Sequence, residues 1–153
     1  MSLFKKILFP VDLSDASEKI APYIKEMARK FDSELYFVYV VNVKQYYSGL
    51  DMSTEYLCDV DSEIREKAKN KIRVFKETVF KNFSVQEELL SGRPGPEIVK
   101  YVKSAGIDLV IMGHSSTGIE RAIFGSVAGY VVKYSPAPVL IISPSIIVDK
   151  KRR

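Results

Sequence analysis

The chain has 153 residues, the length of one domain with room for a core that needs neither disulfides nor metal. Its apolar and charged fractions, 46% and 27%, are those of an ordinary globular protein, and no apolar run approaches the roughly 20 residues of a membrane helix. The net charge of +4 is matched by the terminal KKRR, so the remainder is near neutral and lacks the basic face of a nucleic-acid binder.

KKRR (150–153) reads as a solvated, frayed end rather than a binding arm. At the other end, MSLFKKILFP has too short an apolar stretch for a secretory signal and no small-residue cleavage site. The lone Cys58 cannot form an internal disulfide. It reads as an inert free thiol and implies a reducing, cytoplasmic setting.

FKKILFPV (4–11) is the first strand. From Ser14 the period changes, with Ile20, Ile24, Met27, Ala28 and Phe31 at helical spacing. Ser14 or Asp15 is the expected N-cap, with Glu18 three residues past Asp15 as a capping-box partner. ELYFVYVVN (34–42) is a second strand, apolar almost throughout, as suits a parallel strand covered on both faces. Residues 43–59 lack periodicity and form a long connection. Tyr46, Tyr47, Leu50, Met52, Tyr56 and Leu57 make it too apolar for a solvated loop. It is expected either to border a ligand cleft or partner surface, or to pack as a side layer. A helix over about 60–82 follows, marked by Ile64, Ala68, Ile72, Phe75 and Val79.

SVQEELLSG (84–92) is a third strand whose Glu87 and Glu88 suit a sheet edge. Pro96 fits the first position of the next helix and Gly106 its stop. IDLVIMG (107–113) is strand four, 125–135 a helix with Ser126 as expected N-cap, and PAPVLIIS (136–143) strand five. Strand–helix alternation with crossovers of helical length means one α/β domain, a parallel sheet with helices on both faces. Residues 1–143 form this domain and 144–153 a short basic tail.

MGHSSTGIERAIFGSVAGYVV (112–132) carries the chemistry. A strand ends in Gly113, a Gly/Ser/Thr loop follows, and Gly125-Ser126 opens a helix. Glycines let the backbone approach an anion, hydroxyls donate, and a helix N-terminus offers free N–H groups. A purely structural Gly-rich turn gives the same pattern. There is no P-loop, no G-x-G-x-x-G after the first strand and no G-x-S-x-G elbow. The single histidine, His114, suits a loop donor or an exposed side chain better than a base.

With these stretches in place, the chain resembles the universal stress protein family from Lys5 to about Ser143. The resemblance rests on KKILFPVDLSDAS, GRPGPEIVKYVKSAGIDLVIMG, GIERAIFGSVAGYVV and SPAPVLII, in that order. It implies a five-stranded parallel sheet in the order 3-2-1-4-5, Rossmann-like, with a topological switch point between strands one and four. It further implies an adenine-nucleotide site, with ATP, and Mg²⁺ as a companion, as the cofactor. Asp12 would lie by the ribose and metal, flanked by Pro10 and Val11. Val40, Val41 and Asn42 would lie near adenine. Met112, Gly113, His114, Ser115, Ser116 and Gly118, with Gly125, Ser126 and Val127, would hold the phosphates. Asp12 also reads as a plain helix-start residue.

ATP-binding members carry G-x-x-G, nine residues, then G-[ST]. Here Ser116 stands at the second glycine position and eight residues separate it from Gly125. Two functions follow: an ATP-binding regulatory module coupled to its dimer or to a protein partner, or a nucleotide-free dimeric scaffold of the same fold. An adenylating enzyme is disfavoured because VDLSDAS has neither the paired glycines nor the second histidine of such loops; at most, slow ATP hydrolysis is expected. No nucleic-acid or membrane partner is expected. Strand five, uncharged and apolar, is expected to pair with its copy in a homodimer through Val139, Leu140, Ile141 and Ile142. The alternative is a fold-back of the tail over that edge through Ile146–Val148.

Overall fold

Ile7, Leu8 and Phe9 are buried on successive, opposite faces of one strand, the mark of a sheet covered on both sides. This strand, β1 (Lys6–Pro10), is central in a computed structural model that describes residues 2–42, 54–114 and 125–143, with backbone alone at 15 and 54–58. The elements run β1, α1 (Asp15–Phe31), β2 (Glu34–Val41), α2 (Thr54–Val79), β3 (Val85–Ser91), α3 (Pro94–Ala105), β4 (Leu109–Gly113), α4 (Ser126–Tyr134) and β5 (Val139–Ile142). All strand pairs are parallel and the order is β3-β2-β1-β4-β5, as the family resemblance implied.

Two apolar layers clothe the sheet. On one face Phe9 and Phe37, paired across β1 and β2, meet Phe75 and Phe80 from α2 and the turn after it, with ring centroids 4.6–6.4 Å apart. On the other, Leu8, Val38 and Val110 pack with Ile98 and Val102 of α3 and Ala128 and Val131 of α4. Each layer interlocks side chains of facing elements, so the ends of β1 and β4 are held side by side.

One of the two expected caps of α1 is the one observed, and four other helix boundaries differ from expectation. Ser14 alone caps α1; Ser17 occupies the third helical position, so the Asp15–Glu18 box has no place. Helix α2 begins at Thr54, six residues early, and takes up the end of the expected loop; 43–53 lie outside the described residues. It ends at Val79, and three residues on Asn82 adopts φ +67°, a left-handed conformation that asparagine tolerates. Helix α3 opens at Pro94 rather than Pro96, with Arg93 as N-cap. Both prolines sit in the first turn, where a missing N–H costs nothing. Helix α4 has Gly125 as N-cap and Ser126 as its first residue, correcting the expected cap.

Strand β5 spans only Val139–Ile142 because Pro136 and Pro138 cannot donate to a ladder. The two sheet edges contrast as expected: Gln86, Glu87 and Glu88 of β3 are exposed, whereas β5 carries no charge and exposes Leu140.

Candidate functional site

The two central strands end together, and the chain leaves them in opposite directions. After β1, the Val11 N–H donates to the Val38 carbonyl at 2.8 Å, extending the ladder by one residue. Asp12 then turns into the loop and is exposed. Its Oδ1 accepts from the Ser14 N–H at 2.9 Å, the Ser14 hydroxyl at 2.6 Å and the Ser17 hydroxyl at 2.5 Å. No described residue donates to its Oδ2. Between Asp12 and Ser14, Leu13 holds φ +61°, a left-handed conformation that costs a non-glycine residue about 1–2 kcal/mol. Its side chain packs on the phenylalanine layer.

After β4, the chain passes through His114 and returns at Gly125, whose N–H donates to the His114 carbonyl at 2.7 Å. The first bond within α4 is Gly129 N–H to Gly125 carbonyl. The N–H groups of Ser126, Val127 and Ala128 therefore have no acceptor among the described residues, at the positive end of the helix dipole. Gly113 is not left-handed, and a Cβ there would meet only the Ile142 carbonyl, at 3.8 Å. Nothing in the described protein requires glycine at 113; its missing side chain widens the space in front.

The third wall is β2. Val41 turns its carbonyl to β3, accepting from the Gly92 N–H at 3.0 Å, and Val38 turns its carbonyl to β1. By alternation, Val40 presents its N–H and C=O toward the β1 side, beyond the end of β1. No described residue claims either group.

Together these elements enclose a cavity of about 420 Å³, within the ~300–1,000 Å³ of small-molecule sites. Of the residues expected there, Pro10, Val11, Asp12, Val40, Met112, Gly113, His114, Gly125, Ser126 and Val127 line it. Val41 and Asn42 do not; Val41 is buried at the end of β2. Ser115, Ser116 and Gly118 lie outside the described residues. Sequence reasoning missed Ser17, Tyr39, Pro94 and Ile98 in the lining. The first shares a helix face with Ile20 and Ile24 (a serine on an apolar stripe was the available signal); Pro94 belongs to a stretch read as turn residues, and Ile98 was read only as a core residue of the helix that follows. The tyrosines with shifted acidity, Tyr36 and Tyr101, do not line the cavity.

A parallel α/β sheet in this order, with a cleft at the carboxyl ends of β1 and β4, defines the doubly wound class of open α/β folds, in which ligands commonly sit at such a crevice. Within that class, the profile of the Universal stress protein family matches residues 3–143, and the chain belongs to this family. It is similar to universal stress protein MJ0531 of Methanocaldococcus jannaschii, 35% identical over 144 residues, covering 92% of this chain and 83% of that one. The solved structure of MJ0577, from the same organism, superposes with a TM-score of 0.75 at 29% identity, covering 92% of this chain and 96% of the other. At 22% identity and a TM-score of 0.56, the universal stress protein of Archaeoglobus fulgidus, solved in complex with dAMP, shares the fold over 92% of this chain and 98% of its own. No helix among the described residues is long and apolar enough to cross a membrane.

Proposed function

We propose that this chain is an adenine-nucleotide-binding regulatory module that holds ATP in the cleft. The reading is carried by the unclaimed N–H and C=O of Val40, facing a cavity whose other side is the free N-terminus of α4. Adenine offers an acceptor, N1, beside a donor, N6, which complements a donor–acceptor backbone pair; guanine offers the reverse order. Phosphate oxygens suit the N–H groups of Ser126, Val127 and Ala128, helped by the dipole of α4. The ribose then lies toward Asp12, whose Oδ2 accepts from a hydroxyl.

The donor set also bears on Mg²⁺. Among the described residues, no three His, Cys, Asp or Glu side chains converge on a metal position. Mg²⁺ commonly sits between one or two carboxylates and substrate phosphates, and Asp12 Oδ2 suits that arrangement. When bound with ATP, the ion neutralises phosphate charge. The protein's own part is to hold the carboxylate in place.

The bound state is read out through a homodimer or a protein partner. Strand β5 supports the dimer as an uncharged sheet edge with Leu140 exposed, though the Ile142 side chain belongs to the core. The second reading, a nucleotide-free dimeric scaffold, is favoured by Ser116 and the short spacing to Gly125. Calorimetry with ATP, ADP, AMP and cyclic AMP, each with and without Mg²⁺, separates the two. One site per chain for ATP supports the module; no heat with any of them leaves the scaffold.

A further inference from the structure

Ser17 is buried, at 4% exposure, although its side chain is polar. It sits in the first turn of α1, on the face that continues into the buried Ile20, Ala21 and Ile24. An apolar residue would ordinarily stand there, because a buried hydroxyl is unfavourable without a partner. Its partner is Asp12: the Ser17 hydroxyl gives its single proton to Oδ1 at 2.5 Å. Ser14 gives the same oxygen its hydroxyl proton and its backbone N–H. Asp12 is exposed, and an exposed carboxylate in water moves among rotamers. Three donors on one oxygen fix it, and Oδ2 alone is left for a ligand.

We propose that Ser17 is a positioning residue, which aims the Asp12 carboxylate at the ribose or metal end of the nucleotide; the inference rests on the nucleotide reading above. The left-handed Leu13 fits this role. Its backbone is tolerable only while its neighbours hold it, and the bonds from Ser14 and Ser17 to Asp12 span it on both sides. A helix-capping role for Ser17 would act on stability alone. A positioning role acts on affinity, and only while Asp12 is present.

The test is a double-mutant cycle with Mg-ATP, read by calorimetry, with thermal melts of every variant. Ser17→Ala should weaken binding about tenfold, which is roughly 1.4 kcal/mol. Asp12→Ala should weaken it at least as much, and the double variant should bind no worse than Asp12→Ala. Should Ser17→Ala fail to fold, Ser17→Cys keeps the volume with a weaker donor and should show the same pattern. Wild-type affinity in the foldable Ser17 variant overturns the inference, as does a loss that persists in full in the Asp12→Ala background. If Asp12→Ala itself binds normally, the placement of the nucleotide against Asp12 fails first, and the role of Ser17 falls with it.

Discussion

The Gly125 N–H meets the His114 carbonyl at 2.7 Å, joining the two ends of segment 115–124. This bond seats the start of α4 beside the end of β4. Gly125 has φ −57° and ψ 158°, a conformation open to any L-residue. Gly125→Val should therefore keep the bond and the fold while filling the cavity wall. ATP binding should vanish in calorimetry with the melting temperature little changed. Normal affinity would place the phosphates elsewhere.

Ser126 stands at the first helical position, one residue after the N-cap Gly125. Loss of a true cap costs about 0.5–2 kcal/mol. Ser126→Ala should instead shift stability by less than about 0.5 kcal/mol, as surface changes do. If its hydroxyl donates to phosphate, ATP affinity should fall about tenfold. A variant that melts early yet binds normally would restore the capping role and remove the ligand contact.

The donor–acceptor order at Val40 makes base selectivity a backbone property. Competition binding should favour ATP over GTP by at least about 100-fold, since mismatched polar groups are left unpaired in the cleft. Equal affinities would mean that the base does not read Val40.

The sheet order and most of the cleft were legible in the sequence for different reasons. Apolar runs such as ILF and LVIM announce strands covered on both faces, and the family resemblance supplied their order. Asp12, Gly113 and Gly125 lie at strand and helix ends, where loop composition carries a signal. Helix starts were less legible, because several residues compete to begin a helix: Pro94 and Pro96, Gly125 and Ser126, Ser14 and Asp15. Tertiary fit decides among them, as where a Cβ on Gly95 would come within 2.9 Å of Tyr130. Ser17 was missed because its partner lies five residues away, and periodicity weighs only the apolar members of a helix face.

Away from the cleft, Tyr36 donates to Glu34 Oε2 at 2.8 Å. That bond, with burial and the nearby charge of Glu34, pushes its phenol from the ordinary 10.0 up to about 12. The folded state thus holds the proton more tightly than the unfolded one. The contribution is full below pH 10 and is lost as pH rises from about 10 through about 12. Tyr36→Phe should cost about 1 kcal/mol at pH 8. The gap to wild type should shrink in denaturant melts toward pH 11.5, roughly the top of the practical range. A gap constant across that window would contradict this account.

For the proposed dimer, Leu140 is a sharper probe than Ile141, because Ile141 packs on the α3–α4 layer while Leu140 is 37% exposed. A lysine at 140 should be tolerated by the folded chain and repeated across a two-fold axis. Sedimentation should find wild type at twice the chain mass and Leu140→Lys as a folded monomer. A monomeric wild type at high micromolar concentration would point to the tail as the cover of this edge.

The most direct test of the central claim is a titration of ¹⁵N-labelled protein with Mg-ATP, following backbone amide resonances. Saturable shifts should concentrate at Val40, Gly113, His114, Gly125, Ser126 and Val127, with Glu87 and Glu88 on the β3 edge unmoved. A folded protein whose spectrum does not change, or changes only along α2 and β3, would contradict nucleotide binding at the switch point.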